Sequence, residues 1–201
     1  VLNGLDIVGF DPAADGAIVK NYTPEDVSGK AECKAALQRA VGLAEAPDVP
    51  VIAIVSRLVG HKGMDLVCEV LDGIVATGAQ LVVLGKGDYA YEEFFRQAQA
   101  HFPGQVSAQI AYSDELSRRI YSGADLFLMP SKSEMIAMRY GTVPIVRQTG
   151  GLADTVRSCQ LGQEDGNGYV FANYNAYDML YTIQQAVELY RTSREDFAKV
   201  Q

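Results

Sequence analysis

Only two histidines, His61 and His101, occur in the chain. That is too little imidazole for a zinc site or for a triad built on a histidine base. Cysteine is also sparse: Cys33, Cys68 and Cys159 are odd in number, far apart and in no metal-ligand spacing. They read as free thiols of a reducing compartment, so a cytoplasmic location is expected. Long apolar runs are missing as well. None approaches the roughly 18 residues of a membrane span, and no signal-peptide pattern is present, so no membrane partner is expected. Positive charge is in deficit, with 17 Lys and Arg against 25 Asp and Glu and a formal net charge of −8. This excludes a broad surface for nucleic acid but leaves room for a local basic pocket. What remains is an ordinary globular balance, 48% hydrophobic over 201 residues, enough for one large domain or one domain with an appendage. The chain opens on Val1 in loop-like sequence, which reads as a piece of a longer protein.

Residues 1–48 have the least regular pattern, with turn signals at Asn3-Gly4 and Asp11-Pro12. Thr23-Pro24-Glu25-Asp26 offers a cap residue, a proline for the first helical position and acids for the first turn. A helix is expected to follow from about Lys30 to Ala40. Pro47 and Pro50 bracket a boundary. The chain therefore divides into a leading segment with a peripheral helix packed on the domain, residues 1–48, and a main domain, residues 49–201.

From Val51 the rhythm changes. Strand-length apolar runs fall at Val51–Val55, Leu81–Leu84, Val106–Ala111, Leu126–Met129 and Val143–Val146, with a short one at Gly168–Phe171. Continuous apolar character marks strands buried on both faces. Helical spacing appears between them: Val67, Val70, Leu71, Ile74 and Val75 within 62–77, then Tyr91, Phe94, Ala98 and Phe102. Leu116 and Ile120 follow a cap at Ser113, and Met179, Ile183, Val187 and Tyr190 mark a last long helix. Regular βα alternation predicts an α/β fold, a doubly wound parallel sheet of Rossmann-like type with helices on both faces.

In such a sheet the ligand crevice lies outside the C-terminal ends of the strands. The motifs that could carry chemistry fall there. Ser56-Arg57 and Lys62-Gly63 flank the start of the first core helix, where free N–H groups already favour an anion. Two cations there suit a diphosphate, Arg57 as a fork and Lys62 as a point charge. Gly85 and Gly87 follow the second strand, where glycine lets a backbone turn tightly or approach a ligand. Tyr112 ends the third strand and could stack on a flat ring. Thr149, Gly150 and Gly151 follow the fifth, offering backbone N–H groups as a second anion cradle. Glu134 and Arg147 also sit just past strand ends. Glu134 is the only acid between strands four and five, so a two-carboxylate glycoside hydrolase is poorly supported.

Ser56-Arg57-x4-Lys62-Gly63, Leu84-Gly85-x-Gly87-Asp88 and Ala124-Asp125-x3-Met129-Pro130-Ser131 resemble the C-terminal domain of bacterial glycogen synthases and plant starch synthases. So does Met138-Arg139-Tyr140-Gly141-Thr142 through Arg147-x-Thr149-Gly150-Gly151-Leu152, the block most specific to that group. Asn3-Gly4-Leu5-Asp6 is similar to the family's approach to this domain. The resemblance implies one half of a two-domain GT-B glycosyltransferase, a hexosyltransferase moving glucose from ADP-glucose to the non-reducing end of an α-1,4-glucan with retention. It also implies that no cofactor or metal is used. Arg57 and Lys62 would neutralise the donor diphosphate and Glu134 would lie near the donor sugar, these three being the catalytic candidates. Ser56, Gly85, Gly87, Tyr112, Thr149, Gly150 and Gly151 would surround the nucleotide, with Tyr112 at the adenine or ribose and Thr149 and Gly150 at the distal phosphate. The glucan acceptor would bind through an N-terminal domain absent from this chain, which alone would transfer nothing.

One departure is local. The family inserts about six residues after the acid, beginning Pro-Cys-Gly-Leu, where this chain passes from Glu134 straight to Met135. Residues 131–141 are also fewer than the dozen or more expected of a parallel crossover. Several residues are therefore expected to be missing between Glu134 and Met135. A continuous peptide there would mean a true deletion and would take Glu134 out of the donor site. Thr142, eight positions after Glu134, cannot act as the family's second polar group. Two other readings stand beside the first: a transferase using a UDP- or GDP-linked sugar, such as a sucrose- or trehalose-type enzyme, and a non-catalytic nucleotide-binding module.

Overall fold

The computed structural model describes residues 9–129, 134–148, 156–159 and 166–201. Six strands lie in one parallel sheet: β1 (Val51–Val55), β2 (Gln80–Leu84), β3 (Val106–Gln109), β4 (Leu126–Met129), β5 (Val143–Arg147) and β6 (Tyr169–Phe171). Their order is β3-β2-β1-β4-β5-β6, the doubly wound arrangement expected from the alternating pattern. Side chains of alternate residues leave opposite faces of a strand, and here both faces are covered. Ile52, Ile54, Leu81, Val83, Leu128 and Ile145 join the core under α2 (Met64–Ala76), α3 (Tyr89–His101) and α6 (Ala176–Thr192). Val51, Ala53, Val82, Phe127 and Val146 join the opposite core under α1 (Ser28–Val41), α4 (Asp114–Gly123) and α5 (Glu134–Arg139). Such double burial is why the strands carry unbroken apolar runs.

The described part of the leading segment, residues 9–48, is folded onto this second face. Tyr22 donates to the Tyr140 carbonyl at 2.9 Å, and Tyr140 and Arg118 both hydrogen-bond the buried Asp15 carboxylate. Thr23–Asp26 does not begin a helix. Thr23 N–H donates to Asp26 O at 3.1 Å and Asp26 N–H returns to Thr23 O at 3.2 Å, closing a tight turn that uses the groups a helix would need. The first helix starts at Ser28, whose N–H donates to the Asp26 carboxylate at 3.0 Å. The last long helix, α6, covers its whole pattern and ends at Ser193, which also caps a further short helix, α7 (Arg194–Val200), whose Phe197 stacks edge-on against Tyr190.

The crossover from β4 to β5 corrects an expectation. Helix α5 runs unbroken through Glu134 and Met135, so the peptide is continuous there. The path is short because β4 has only four residues, a return of about 13 Å. A six-residue helix rises about 9 Å of that. Gly141, at φ 63°, then turns the chain into β5.

Beneath the sheet lies a buried charged layer. Asp125 and Lys34 pair at 2.8 Å with side chains 9% and 7% exposed, and the same carboxylate oxygen accepts the Val51 N–H at 2.8 Å. Lys34 also donates to Tyr190 Oη at 2.6 Å and to the Pro47 carbonyl at 3.0 Å. Nearby, Lys30 Nζ reaches the Ser122 and Tyr140 carbonyls at 3.1 and 3.0 Å and Thr142 Oγ1 at 2.9 Å. Burial pulls the Lys30 ammonium down to about 8. A buried pair is costly to break because the surviving charge is left without compensation. Asp125→Ala should therefore lower unfolding free energy by about 3–5 kcal/mol, read from urea denaturation. A loss below about 1 kcal/mol, typical of an exposed pair, would show that Asp125 does not hold the sheet.

Candidate functional site

Winding reverses between β1 and β4, and in an open α/β sheet the ligand crevice opens at that switch point, outside the strand C-termini. The β1 loop is built at this place. Ser56 N–H extends the ladder to Leu84 O at 3.1 Å, and a 3-10 turn over Gly60–Lys62 then leads into α2. Gly63 sits in the left-handed region at φ 77°, linking the turn to the helix. Arg57 is exposed and Lys62 partly buried. Among the described residues, no carboxylate pairs with either side chain.

The two glycines after β2 have a specific reason. A Cβ on Gly85 would fall 1.8 Å from Ser56 O, and one on Gly87 would fall 2.2 Å from Leu58 O. Two stretches of main chain meet here: Leu58 N–H donates to Lys86 O at 3.0 Å and Asp88 N–H to Leu58 O at 2.9 Å. These glycines admit another stretch of backbone. Their effect is to strap the β1 and β2 loops into one unit.

Tyr112 stands past β3 and is 73% exposed, beside Ser113, whose hydroxyl caps α4 by accepting the Leu116 N–H at 3.1 Å. Glu134 is placed by its backbone as the first residue of α5. Thr149, Gly150 and Gly151 lie outside the described residues. Thr142 is committed to the scaffold, donating to the Tyr121 carbonyl at 2.6 Å and accepting from Lys30. Asp125, in the Ala124–Ser131 motif, immediately precedes β4 at the opposite edge of the sheet, where it pairs with Lys34.

Three residues at this edge carried no sequence signal or only a faint one. Tyr174, between β6 and α6, donates to Asp65 Oδ1 at 2.6 Å and approaches the Gly60 carbonyl at 3.2 Å. The Arg147 guanidinium lies 4.9 Å from the centre of the Tyr174 ring. The Arg147 Nε is buried and has no hydrogen-bond partner among the described residues. Burial and the Asp65 hydrogen bond push the Tyr174 hydroxyl up to about 12. Separations of 109 and 114 positions hide these contacts from any local pattern.

Fold and edge together define a doubly wound α/β domain with a basic loop at its switch point. The chain belongs to the group 1 glycosyl transferase family, whose model matches residues 41–200. It is 48% identical over 197 residues to a glycogen synthase of Geobacillus thermodenitrificans, covering 95% of this chain and 41% of that protein. It is 44% identical to a glycogen synthase of Alkaliphilus metalliredigens, covering 100% of this chain and 43% of the relative. That alignment runs to 206 positions for the 201 residues here, so the relative carries extra residues in the matched region. The chain spans about two fifths of the length of these curated relatives. Among solved structures, the catalytic domain of starch synthase IV from Arabidopsis thaliana, bound to ADP and acarbose, superposes with a TM-score of 0.90 at 30% identity. That match covers 100% of this chain and 43% of the plant chain. The C-terminal domain of a group 1 family protein from Francisella tularensis shares the fold alone, with a TM-score of 0.61 at 14% identity over 98% of this chain and 96% of that one.

The strap gives a direct test. Gly85→Ala or Gly87→Ala should destabilise the chain by about 1–3 kcal/mol in urea unfolding, because main chain rather than a flexible side chain must give way. Gly16→Ala, where an added Cβ meets nothing within 4 Å, should stay within about 0.5 kcal/mol of the parent. Equal effects at all three positions would refute the strap.

Proposed function

We propose that the chain is the donor-binding part of a glucan synthase that transfers glucose from ADP-glucose to an α-1,4-glucan with retention. The observation that carries this reading is that two cations, Arg57 and Lys62, lie on the loop beside the switch point with no ionic partner among the described residues. A helix start and two cations suit a diphosphate, and charge on the departing phosphate is where electrostatic stabilisation helps transfer most. Arg57 and Lys62 neutralise the ADP leaving group, while Ser56, Gly85 and Gly87 bring main chain close to it. The exposed ring of Tyr112 takes the adenine or ribose. Thr149, Gly150 and Gly151, outside the described residues, are assigned to the distal phosphate by the family resemblance.

Glu134 stands apart from these residues. It opens a crossover that is continuous and, by the resemblance, several residues short. It therefore takes no part in holding the nucleotide. The glucan acceptor is assigned to the part of the relatives that this chain does not span, so the chain by itself elongates nothing. Three free cysteines support a reducing, cytoplasmic setting. The choice of ADP is supported by the glycogen synthase relatives and by the ADP-bound plant neighbour.

Each charge-assisted phosphate contact contributes roughly 1.5–3 kcal/mol. Arg57→Ala and Lys62→Ala should thus each weaken ADP about 10- to 100-fold by calorimetry, with Glu134→Gln leaving it unchanged. ADP should raise the melting temperature more than UDP or GDP at equal concentration. A larger shift with UDP or GDP would move the donor to another sugar nucleotide. Unchanged affinity in both cation variants would remove the phosphate assignment.

A further inference from the structure

The cationic turn is held firmly at only one end. Leu58 is strapped to the β2 loop through Lys86 and Asp88, but Val59 and Gly63 supply no side-chain cap to the segments they precede. Within the turn itself, Lys62 N–H donates to Val59 O at 3.0 Å and Gly63 N–H to Gly60 O at 2.7 Å. From outside the turn and its helix, the hydrogen bond that reaches residues 60–62 among the described residues comes from Tyr174. The Tyr174 hydroxyl has one proton. The 2.6 Å contact to Asp65 takes most of it as a charge-assisted bond, and the 3.2 Å contact to Gly60 O is the weaker arm. Gly60 precedes Lys62 and Asp65 follows it in the first turn of α2, so one hydroxyl brackets the cation. The same ring lies against Arg147 at the end of β5, and Asn175 beside it caps α6 by accepting from Tyr177 and Asp178 N–H.

We infer that Tyr174 is a positioning residue for the phosphate-binding turn, fixing Gly60 and Asp65 on either side of Lys62 and tying that turn to the ends of β5 and β6. It does not touch the ligand. It removes the cost of ordering the turn when an anion binds, which is how pre-organisation raises affinity without a new contact. The inference rests on the reading that Arg57 and Lys62 take a diphosphate, and it adds a residue from a distant loop to that site.

The test uses Tyr174→Phe, which keeps the ring beside Arg147 and removes only the hydroxyl. In the ligand-free chain, amide exchange at Lys62 and Gly63 should quicken about tenfold while the β1 and β2 amides stay as they were. ADP should bind about 5- to 20-fold more weakly, and adenosine, which lacks phosphates, should bind as before in an NMR titration. Asp65→Asn, which retains an acceptor, should lose less ADP affinity than Asp65→Ala. Exchange at Lys62 and Gly63 unchanged in Tyr174→Phe overturns the inference, whatever the chain binds. Equal weakening of ADP and adenosine also overturns it, since that would be a general loosening. Failure of the unaltered chain to bind any nucleoside diphosphate overturns the donor reading instead, with the exchange measurement still deciding whether Tyr174 fixes the turn.

Discussion

The sheet depends on one carboxylate. Asp125 immediately precedes β4 at the position where winding reverses, and it holds β1 through the Val51 N–H and α1 through Lys34. Two halves of a doubly wound sheet meet only at the β1–β4 pairing, which is brief here, with Ile52 against Leu126 and Ala53 against Phe127. A short ladder has few hydrogen bonds with which to fix its own register. The buried carboxylate supplies what the ladder lacks, and Lys34 supplies the counter-charge that makes its burial tolerable.

Charge is divided between the two edges of the sheet. At the N-terminal edge it is buried and satisfied, in Asp125 with Lys34 and in Lys30 with carbonyls of α4 and of the turn after α5. At the C-terminal edge Arg57 and Lys62 have no ionic partner among the described residues. Satisfied, buried charge and charge without an ionic partner among the described residues thus sit on opposite sides of one core. A change that weakens one edge need not disturb the other.

Much of this was legible in the sequence, for a physical reason. Strands buried on both faces carry continuous apolar runs, so Val51–Val55 and Leu126–Met129 could be read to the residue. Arg57 and Lys62 were legible because a basic pair at a strand-to-helix junction is a local pattern. Contacts between distant segments were not legible. Tyr174 meets Asp65 and Gly60 across more than a hundred residues, and nothing in its neighbourhood distinguishes it from other tyrosines. Gly85 and Gly87 were visible, but their main-chain neighbour at Ser56–Leu58 was not, so a ligand was the natural partner to expect. Thr23–Asp26 misled because its residues suit a helix start and a tight turn equally, and the reciprocal hydrogen bonds decided for the turn. The β4–β5 crossover misled because its length was set against the dozen or more residues of a typical parallel crossover, although β4 itself reads as only four residues.

The strap between the β1 and β2 loops is made of main-chain atoms on both sides. Arg57, Val59 and Lys86 contribute no side-chain hydrogen bond to it, so their identities are free of its geometry. The strap acts as a frame into which different side chains can be set without refolding the loops. Such a frame lets the side chains at this edge change one at a time. The two glycines, by contrast, leave no room for drift. Divergence at this edge is channelled into the residues between and beside them.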